Sequence, residues 1–172
     1  MTRTPRAAIS WSGGKDSCAA LHRTHVDYNA AFLDALGELA RDGITHVIFG
    51  DILFDEHRAW AEAQCAAHGL TAVEPLFGSS TTDLFHEWTA SGADAIIVTA
   101  RAAFLDESWL GRPLRSGMLA ELTRLGVDPC GERGEYHTAV TNSPLFSRPV
   151  ILERGATVQR SGCWALDLLV NP

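Results

Sequence analysis

Six consecutive residues, Ser12-Gly13-Gly14-Lys15-Asp16-Ser17, combine the residue types that hold a phosphate. Two adjacent glycines let successive backbone N–H groups face an anion with no Cβ in the way. Lys15 adds a compact positive charge, and Ser12 and Ser17 add hydroxyl donors. Of the fourteen basic residues, Lys15 is the only lysine. Ala7-Ala8-Ile9-Ser10-Trp11 reads as a short buried strand running into this loop. Cys18-Ala19-Ala20-Leu21-His22 then starts a helix, whose N-terminal partial charge favours the same anion. Two better-known phosphate loops are excluded. Asp16 stands where a Walker A loop needs Ser or Thr, and Ile9 stands where it needs its first glycine. No G-x-G-x-x-G is present either.

A second stretch, Asp128-Pro129-Cys130-Gly131-Glu132-Arg133-Gly134-Glu135-Tyr136-His137-Thr138, sets two carboxylates in a glycine-shaped loop. Glu132 and Glu135 offer a cation two acceptors, although a lone E-x-x-E is more often a solvated acidic turn. His137 is a candidate substrate contact, and Cys130 reads first as part of the loop's structure. Gly50-Asp51 ends a strand, at the edge where open parallel sheets bind ligands, and so points to a phosphate or Mg²⁺ role. The other histidines form no H-E-x-x-H. The four cysteines form no C-x-x-C, so neither a zinc site nor a disulfide framework is read from them.

The elements that must position these residues follow from periodicity. A helix is expected from Tyr28 to Asp42, with Asp27 as N-cap, an apolar face of Ala31, Phe32, Ala35, Leu36 and Leu39, and Gly43 as its stop. Ile44 to Phe49 reads as a strand. Asp55 to His68 reads as a helix burying Trp60, Ala63 and Ala67, and Thr71-Ala72-Val73 as another strand. Trp11 and Trp60 are expected in the core. Thr81 or Thr82 should cap a helix containing Leu84, Phe85 and Trp88. Ala95 to Thr99 reads as a strand covered on both faces, and Ser116 to Leu125 as a helix. This alternation predicts an α/β fold with a parallel sheet and helices on both faces. After Val127 helices give way to short strands, Tyr136 to Thr141, Val150 to Leu152 and Trp164 to Val170. The expected division is therefore 1–126 for nucleotide binding and 127–172 as a β-rich extension.

Composition narrows the class. The 172 residues are 46% hydrophobic and carry a net charge of −7, which suits a globular chain and argues against a large nucleic-acid footprint. No apolar run is long enough to span a membrane. The polar loop so close behind Ile9 argues against a secretory signal, so a cytoplasmic setting is expected. No internal repeat is present, and oligomeric state is not legible.

The Ser12–Ser17 string resembles the PP-loop of the N-type ATP pyrophosphatases, also grouped as adenine nucleotide alpha hydrolases. The Asp128–Thr138 stretch resembles the signature loop of their diphthine–ammonia ligase branch. Phe49-Gly50-Asp51-Ile52, then Arg58, Glu62 and Cys65, then Gly69-Leu70 resemble that family's central segment. Ala95 to Val98 with Leu110-Gly111-Arg112 resembles its later strand and turn. The likeness runs from about Ala8 to Phe146.

It implies a Rossmann-like (HUP-type) sheet that binds ATP with Mg²⁺. Ser10, Ser12, Gly13, Gly14, Lys15, Asp16, Ser17, Gly50 and Asp51 would hold the nucleotide, with Lys15 and Asp16 catalytic and Asp16 a metal ligand. Cys130, Gly131, Glu132, Gly134, Glu135, His137 and Thr138 would bind the acceptor. It also implies ammonia as co-substrate and a carboxylate acceptor such as diphthine on elongation factor 2. Glu132 and Glu135 would then face Mg²⁺, ammonium or a trimethylammonium group.

Between Arg23 and Thr24 the family has a further strand and helix that this sequence lacks, which touches the base-binding half of the nucleotide site. The rival classes are a nucleotide-binding sensor without turnover, an adenine nucleotide hydrolase with another substrate, and a tRNA-modifying PP-loop enzyme. The first is disfavoured because such sensors carry a glycine-rich loop after a late strand, whereas here Val98-Thr99-Ala100-Arg101 follows with no glycine. The last is disfavoured by the acidic charge and the lack of a catalytic cysteine pair.

Overall fold

The computed structural model describes residues 7–9 and 28–170 of the chain. The candidate residues Ser10, Ser12, Gly13, Gly14, Lys15, Asp16 and Ser17, the expected core residue Trp11 and the expected cap Asp27 lie outside the described residues. Contacts divide the chain into two compact units, Met1–Ser79 and Ser80–Pro172.

In the first unit, β1 (Ala7–Ile9), β2 (His46–Ile48) and β3 (Thr71–Val73) form a parallel sheet in that order, with helix α1 (Tyr28–Arg41) and helix α2 (Asp55–Ala67) as the connections between β1 and β2 and between β2 and β3. Both helices end the same way. Gly43 and Gly69 adopt positive φ (78° and 71°), and the residues after them, Ile44 and Leu70, donate back to Leu39 and Cys65. That is the glycine-dependent stop anticipated at Gly43. Apolar spacing on α1 brings Leu36 into a core with Val47, Phe49, Ala61, Cys65 and Leu70, flanked by Phe32, Leu39 and Ala40.

The face of α2 departs from expectation. Ala61 and Cys65 are buried, whereas Trp60 is 36% exposed and Ala63 and Ala67 are exposed. Trp60 is therefore not a core residue. Its ring lies against Phe32, with centroids 4.9 Å apart. The i, i+4 pair that meets the sheet is one position further along the helix, because the small Ala61 and Cys65 allow the closer approach.

The second unit contains α3 (Thr81–Ala90), β4 (Asp94–Arg101), a 3₁₀ turn (Glu107–Trp109), α4 (Met118–Arg124), β5 (Tyr136–Asn142), β6 (Leu152–Arg160) and β7 (Cys163–Val170). Its four-stranded sheet has the order β5-β4-β7-β6, and its pairings are antiparallel. This corrects the expectation that Ala95–Thr99 continues a parallel sheet. The apolar run identifies a buried strand but carries no direction, and β5 and β7 return antiparallel beside it. Ala95, Ile97 and Ala100 point into a core that also holds Phe85, Leu105, Trp109, Met118, Leu122 and Tyr136.

The cap of α3 is Ser80, whose Oγ accepts from the Asp83 N–H at 3.3 Å, rather than Thr81 or Thr82. Thr81 has a different partner, described below. The β-rich character after Val127 is observed, with β6 much longer than the Val150–Leu152 expected. The compact units part at Ser79/Ser80 because 80–126 shares its core with β5.

Candidate functional site

Parallel register fixes one edge of the first unit. Ile9 pairs with Ile48, and Ile48 with Val73, so the chain leaves all three strands at the same end of the sheet. Ligands of open parallel sheets bind outside that end. Gly50 and Asp51 lie beyond the end of β2, and Glu74 follows β3 directly. Gly50 is exposed and Asp51 half-buried, with its Oδ1 3.4 Å from Nδ1 of His57.

Arg58, on the first turn of α2, reaches over the exit of β3. Its Nε donates to Glu62 Oε1 at 3.0 Å and lies 3.5 Å from Glu74 Oε2, while its guanidinium carbon sits 4.8 Å above the Phe77 ring. The hydrogen bond and charge of Glu62 raise the Arg58 pKa further. The Glu74 side chain is only 5% exposed, and neither carboxylate oxygen has a hydrogen bond. Burial pushes its carboxyl above the ordinary carboxylate range; Arg58 pulls it back, and Asp51 and Glu62 push it further up. Sequence reading did not single out Glu74. The available signal was an acid directly after a strand and before Pro75, at the sheet edge beyond which Asp51 also lies.

In the second unit the Asp128–Thr138 loop braces itself. Asp128 Oδ1 accepts from the backbone N–H of Cys130 (2.9 Å) and of Glu132 (3.3 Å), and its Oδ2 accepts from the Thr81 hydroxyl (2.9 Å). The Asp128 N–H donates to Glu135 Oε1 at 3.1 Å, and Tyr136 donates its hydroxyl to the Pro129 carbonyl. Gly131 and Gly134 both have positive φ (69° and 77°), and a Cβ on Gly131 would sit 2.8 Å from the Tyr136 carbonyl oxygen.

The candidate residues of this loop are thus placed very differently. Gly131 and Glu135 are buried, and Glu135 keeps one oxygen, Oε2, without a hydrogen bond. Cys130, Glu132, Gly134 and His137 are half-buried, and Thr138 is exposed. Cys130 donates its thiol to the Thr81 carbonyl, and burial, with help from Asp128 and Glu132, pushes its pKa up to about 12. A thiol so rarely ionised is a poor nucleophile, in keeping with a structural reading.

Leu110-Gly111-Arg112 forms a tight turn beside β4. Arg112 Nη2 donates to both Glu121 oxygens at 2.9 Å, and Arg154 donates to the Gly111 carbonyl at 2.6 Å. Among the described residues no cluster of three or more His, Cys, Asp or Glu side chains is arranged to hold a metal ion. No helix among them is long and apolar enough to cross a membrane.

A two-unit α/β chain with a ligand-type edge on a small parallel sheet and a braced acidic loop on an antiparallel one is thereby defined. Residues 80–164, nearly coincident with the second unit, match the diphthamide synthase C-terminal domain family. Diphthine–ammonia ligase of Bos taurus is 33% identical over 125 residues, covering 70% of this chain and 47% of the relative. That of Danio rerio is 34% identical over 128 residues, covering 72% and 49%. The Schizosaccharomyces pombe protein of the same name is 30% identical over 115 residues, covering 65% of this chain and 19% of its own length. The chain belongs to the diphthine–ammonia ligase family. It spans about half the length of the bovine and zebrafish relatives it matches.

Proposed function

We propose that this protein is an ATP-dependent, AMP-forming ligase that adenylates a carboxylate and amidates it with ammonia. The observation that carries the reading is the parallel register of β1 with β2. It sets the carboxyl end of β1 at the same sheet edge as Asp51, in a chain that belongs to a ligase family.

In this reading the N–H groups of Gly13 to Ser17 and the Lys15 ammonium take the β and γ phosphates, while Ser10, Ser12, Gly50 and Asp51 line the nucleotide site. Mg²⁺ fits the chemistry of the site. Asp16 and Asp51 supply hard oxygen donors, and one or two carboxylates with phosphate oxygens are what this ion commonly takes. When bound, it would neutralise phosphate charge. The acceptor carboxylate attacks the α-phosphorus in line, and pyrophosphate leaves. Ammonia then displaces AMP at the acyl carbon, losing a proton, to give the amide. Positioning and charge stabilisation supply the rate.

The 1–126 region would carry the nucleotide on a Rossmann-like, HUP-type sheet, and 127–172 would bind the acceptor. Cys130, Gly131, Gly134 and Glu135 would shape the acceptor loop, while Glu132, His137 and Thr138 would meet the acceptor itself. The relatives' name supports diphthine as that acceptor; carried on elongation factor 2, it would be met in the cytoplasm.

A second reading, nucleotide binding without ligation, is favoured by one observation. Only residues 10–27 separate β1 from α1, too few for the extra strand and helix of the family. Intact mass decides whether that unit is absent: 18.6 kDa supports true absence.

Incubation of the protein with α-labelled ATP, ammonium and candidate acceptors tests the reaction. AMP is the expected product, whereas ADP would exclude the ligase. Intact ATP with tight binding would favour the second reading. Lys15→Ala should slow pyrophosphate release about tenfold to a hundredfold, as removal of one charge-stabilising donor does.

A further inference from the structure

The arginines with side-chain bonds among the described residues are not used alike. Arg112 gives Nη2 to both oxygens of Glu121, Arg115 gives Nη2 to Asp94 at 2.9 Å, and Arg154 gives Nη2 to the Gly111 carbonyl. Their forks are engaged by the protein itself. Arg58 is held the other way round. Only its Nε is engaged, by Glu62 and Glu74, and its plane is laid over Phe77. Its two terminal amino groups, with four N–H donors, have no hydrogen bond among the described residues, and the side chain is 46% exposed.

We propose that Arg58 is an anion-binding residue at the carboxyl edge of the parallel sheet, its fork taking two oxygens of a phosphoryl or carboxylate group. A guanidinium presents parallel N–H bonds that match such a pair of oxygens. Glu62, Glu74 and the Phe77 ring fix its orientation, so little side-chain freedom remains to be lost on binding. Glu62 and Glu74 face the Nε side, and Asp51 faces His57, which leaves the fork side as the approach for an anion. Asp55, one turn earlier on α2, adds negative charge nearby, so the fork selects groups that engage it directly rather than anions at large.

This inference rests on the nucleotide-ligase reading only for the source of the anion: AMP or pyrophosphate on one hand, the acceptor carboxylate on the other. The full-length chain and its R58Q, R58K and K15A variants are titrated calorimetrically with AMP and inorganic pyrophosphate. Acetate binding is followed by proton NMR line broadening.

R58Q should bind at least one of these probes ten times or more weakly, and R58K should recover only part of the loss because an ammonium cannot engage two oxygens in parallel. Weakened AMP or pyrophosphate assigns a phosphoryl group; weakened acetate alone assigns a carboxylate. Affinities in R58Q equal to wild type for all three probes overturn the proposal, as does a wild-type chain that binds none. Far-UV circular dichroism checks folding. If R58Q does not fold, R58K carries the decision, and unchanged affinity there overturns the proposal equally. Loss in K15A with retention in R58Q sinks the Arg58 assignment and spares the phosphate loop. The reverse result spares Arg58 and sinks the loop.

Discussion

The two regions that carry candidate chemistry satisfy their polar groups in opposite ways. The Asp128–Tyr136 loop is largely closed upon itself: one carboxylate, Asp128, takes two backbone N–H groups and a threonine hydroxyl, and Glu135 takes the N–H of Asp128 in return, with its Oε2 alone left without a hydrogen bond. The exit of β3 is left incomplete. Glu74 is buried with both oxygens lacking a hydrogen bond, and Arg58 turns its fork outward. A region closed on itself can present a surface but has little left to give. A region left incomplete holds donors and acceptors whose partners must come from elsewhere. Acidic residues with the same appearance in sequence, Glu74, Glu132 and Glu135, thus stand in quite different positions toward a ligand.

The comparison breaks most readily at Gly131. Its positive φ and the 2.8 Å that would separate an added Cβ from the Tyr136 carbonyl leave alanine no room. Gly131→Ala should cost roughly 2–4 kcal/mol, from backbone strain together with overpacking. Denaturant unfolding of the full chain measures it. A loss below about 0.5 kcal/mol, the range of an ordinary surface substitution, would mean that the loop yields easily and is not closed upon itself. Asp128→Ala should cost somewhat less, about 2–3 kcal/mol. It removes an acceptor from two backbone N–H groups and a hydroxyl, of which water can reclaim some at this half-buried position. The same measurement on Thr81→Val isolates the hydroxyl's share, about 1 kcal/mol. A Thr81→Val loss equal to that of Asp128→Ala would show that the backbone bonds contribute nothing.

Much of this contrast was legible before the fold was known, and the reasons it was partly hidden are physical. Helix stops at Gly43 and Gly69 and the buried strand Ala95–Thr99 follow from local chemistry, and they were readable. Strand direction was not, because an apolar run such as Ala95-Ile96-Ile97-Val98 is buried alike in parallel and antiparallel company. The face of α2 was misjudged toward Trp60 because aromatic bulk signals burial, whereas the helix meets the sheet through Ala61 and Cys65. Thr81 was read as a cap, but Ser80 is one residue better placed, and Thr81 spends its hydroxyl on Asp128, forty-seven residues away. The Asp128–Thr138 loop was visible as a motif. That Glu135 lies inside it while Thr138 lies outside depends on glycine φ values and on Tyr136, which spacing alone does not encode. Glu74 was passed over because a single acid beside a proline resembles any turn until the parallel pairing of β2 with β3 sets it at the same sheet edge as Asp51.

The smallest effect probes the incomplete region from its acid. Burial raises the Glu74 carboxyl above its ordinary 4.5, so between that pH and its folded value the native chain keeps a proton that the unfolded chain has released. Stability must then fall as pH rises through this window, since the unfolded state binds fewer protons. Below pH 4.5 both states are protonated and the contribution is fully present. Glu74→Gln removes the titration while keeping the shape. Its stability relative to wild type should therefore be greater at pH 7 than at pH 4, which paired urea titrations at the two pH values read directly.

The opposite sign has a definite meaning. Wild type gaining on Glu74→Gln as pH rises would mean that attraction to Arg58 outweighs burial, so that folding favours the ionised form of Glu74. The Glu74–Arg58 pair would then be net stabilising, and the β3 exit would be closer to the internally satisfied state of the Asp128 loop. The outward fork would have to win any anion against that attraction, and R58Q should then change anion affinity far less than tenfold. The pH comparison on Glu74 and the titrations on Arg58 therefore test the same distinction from opposite sides of one ion pair.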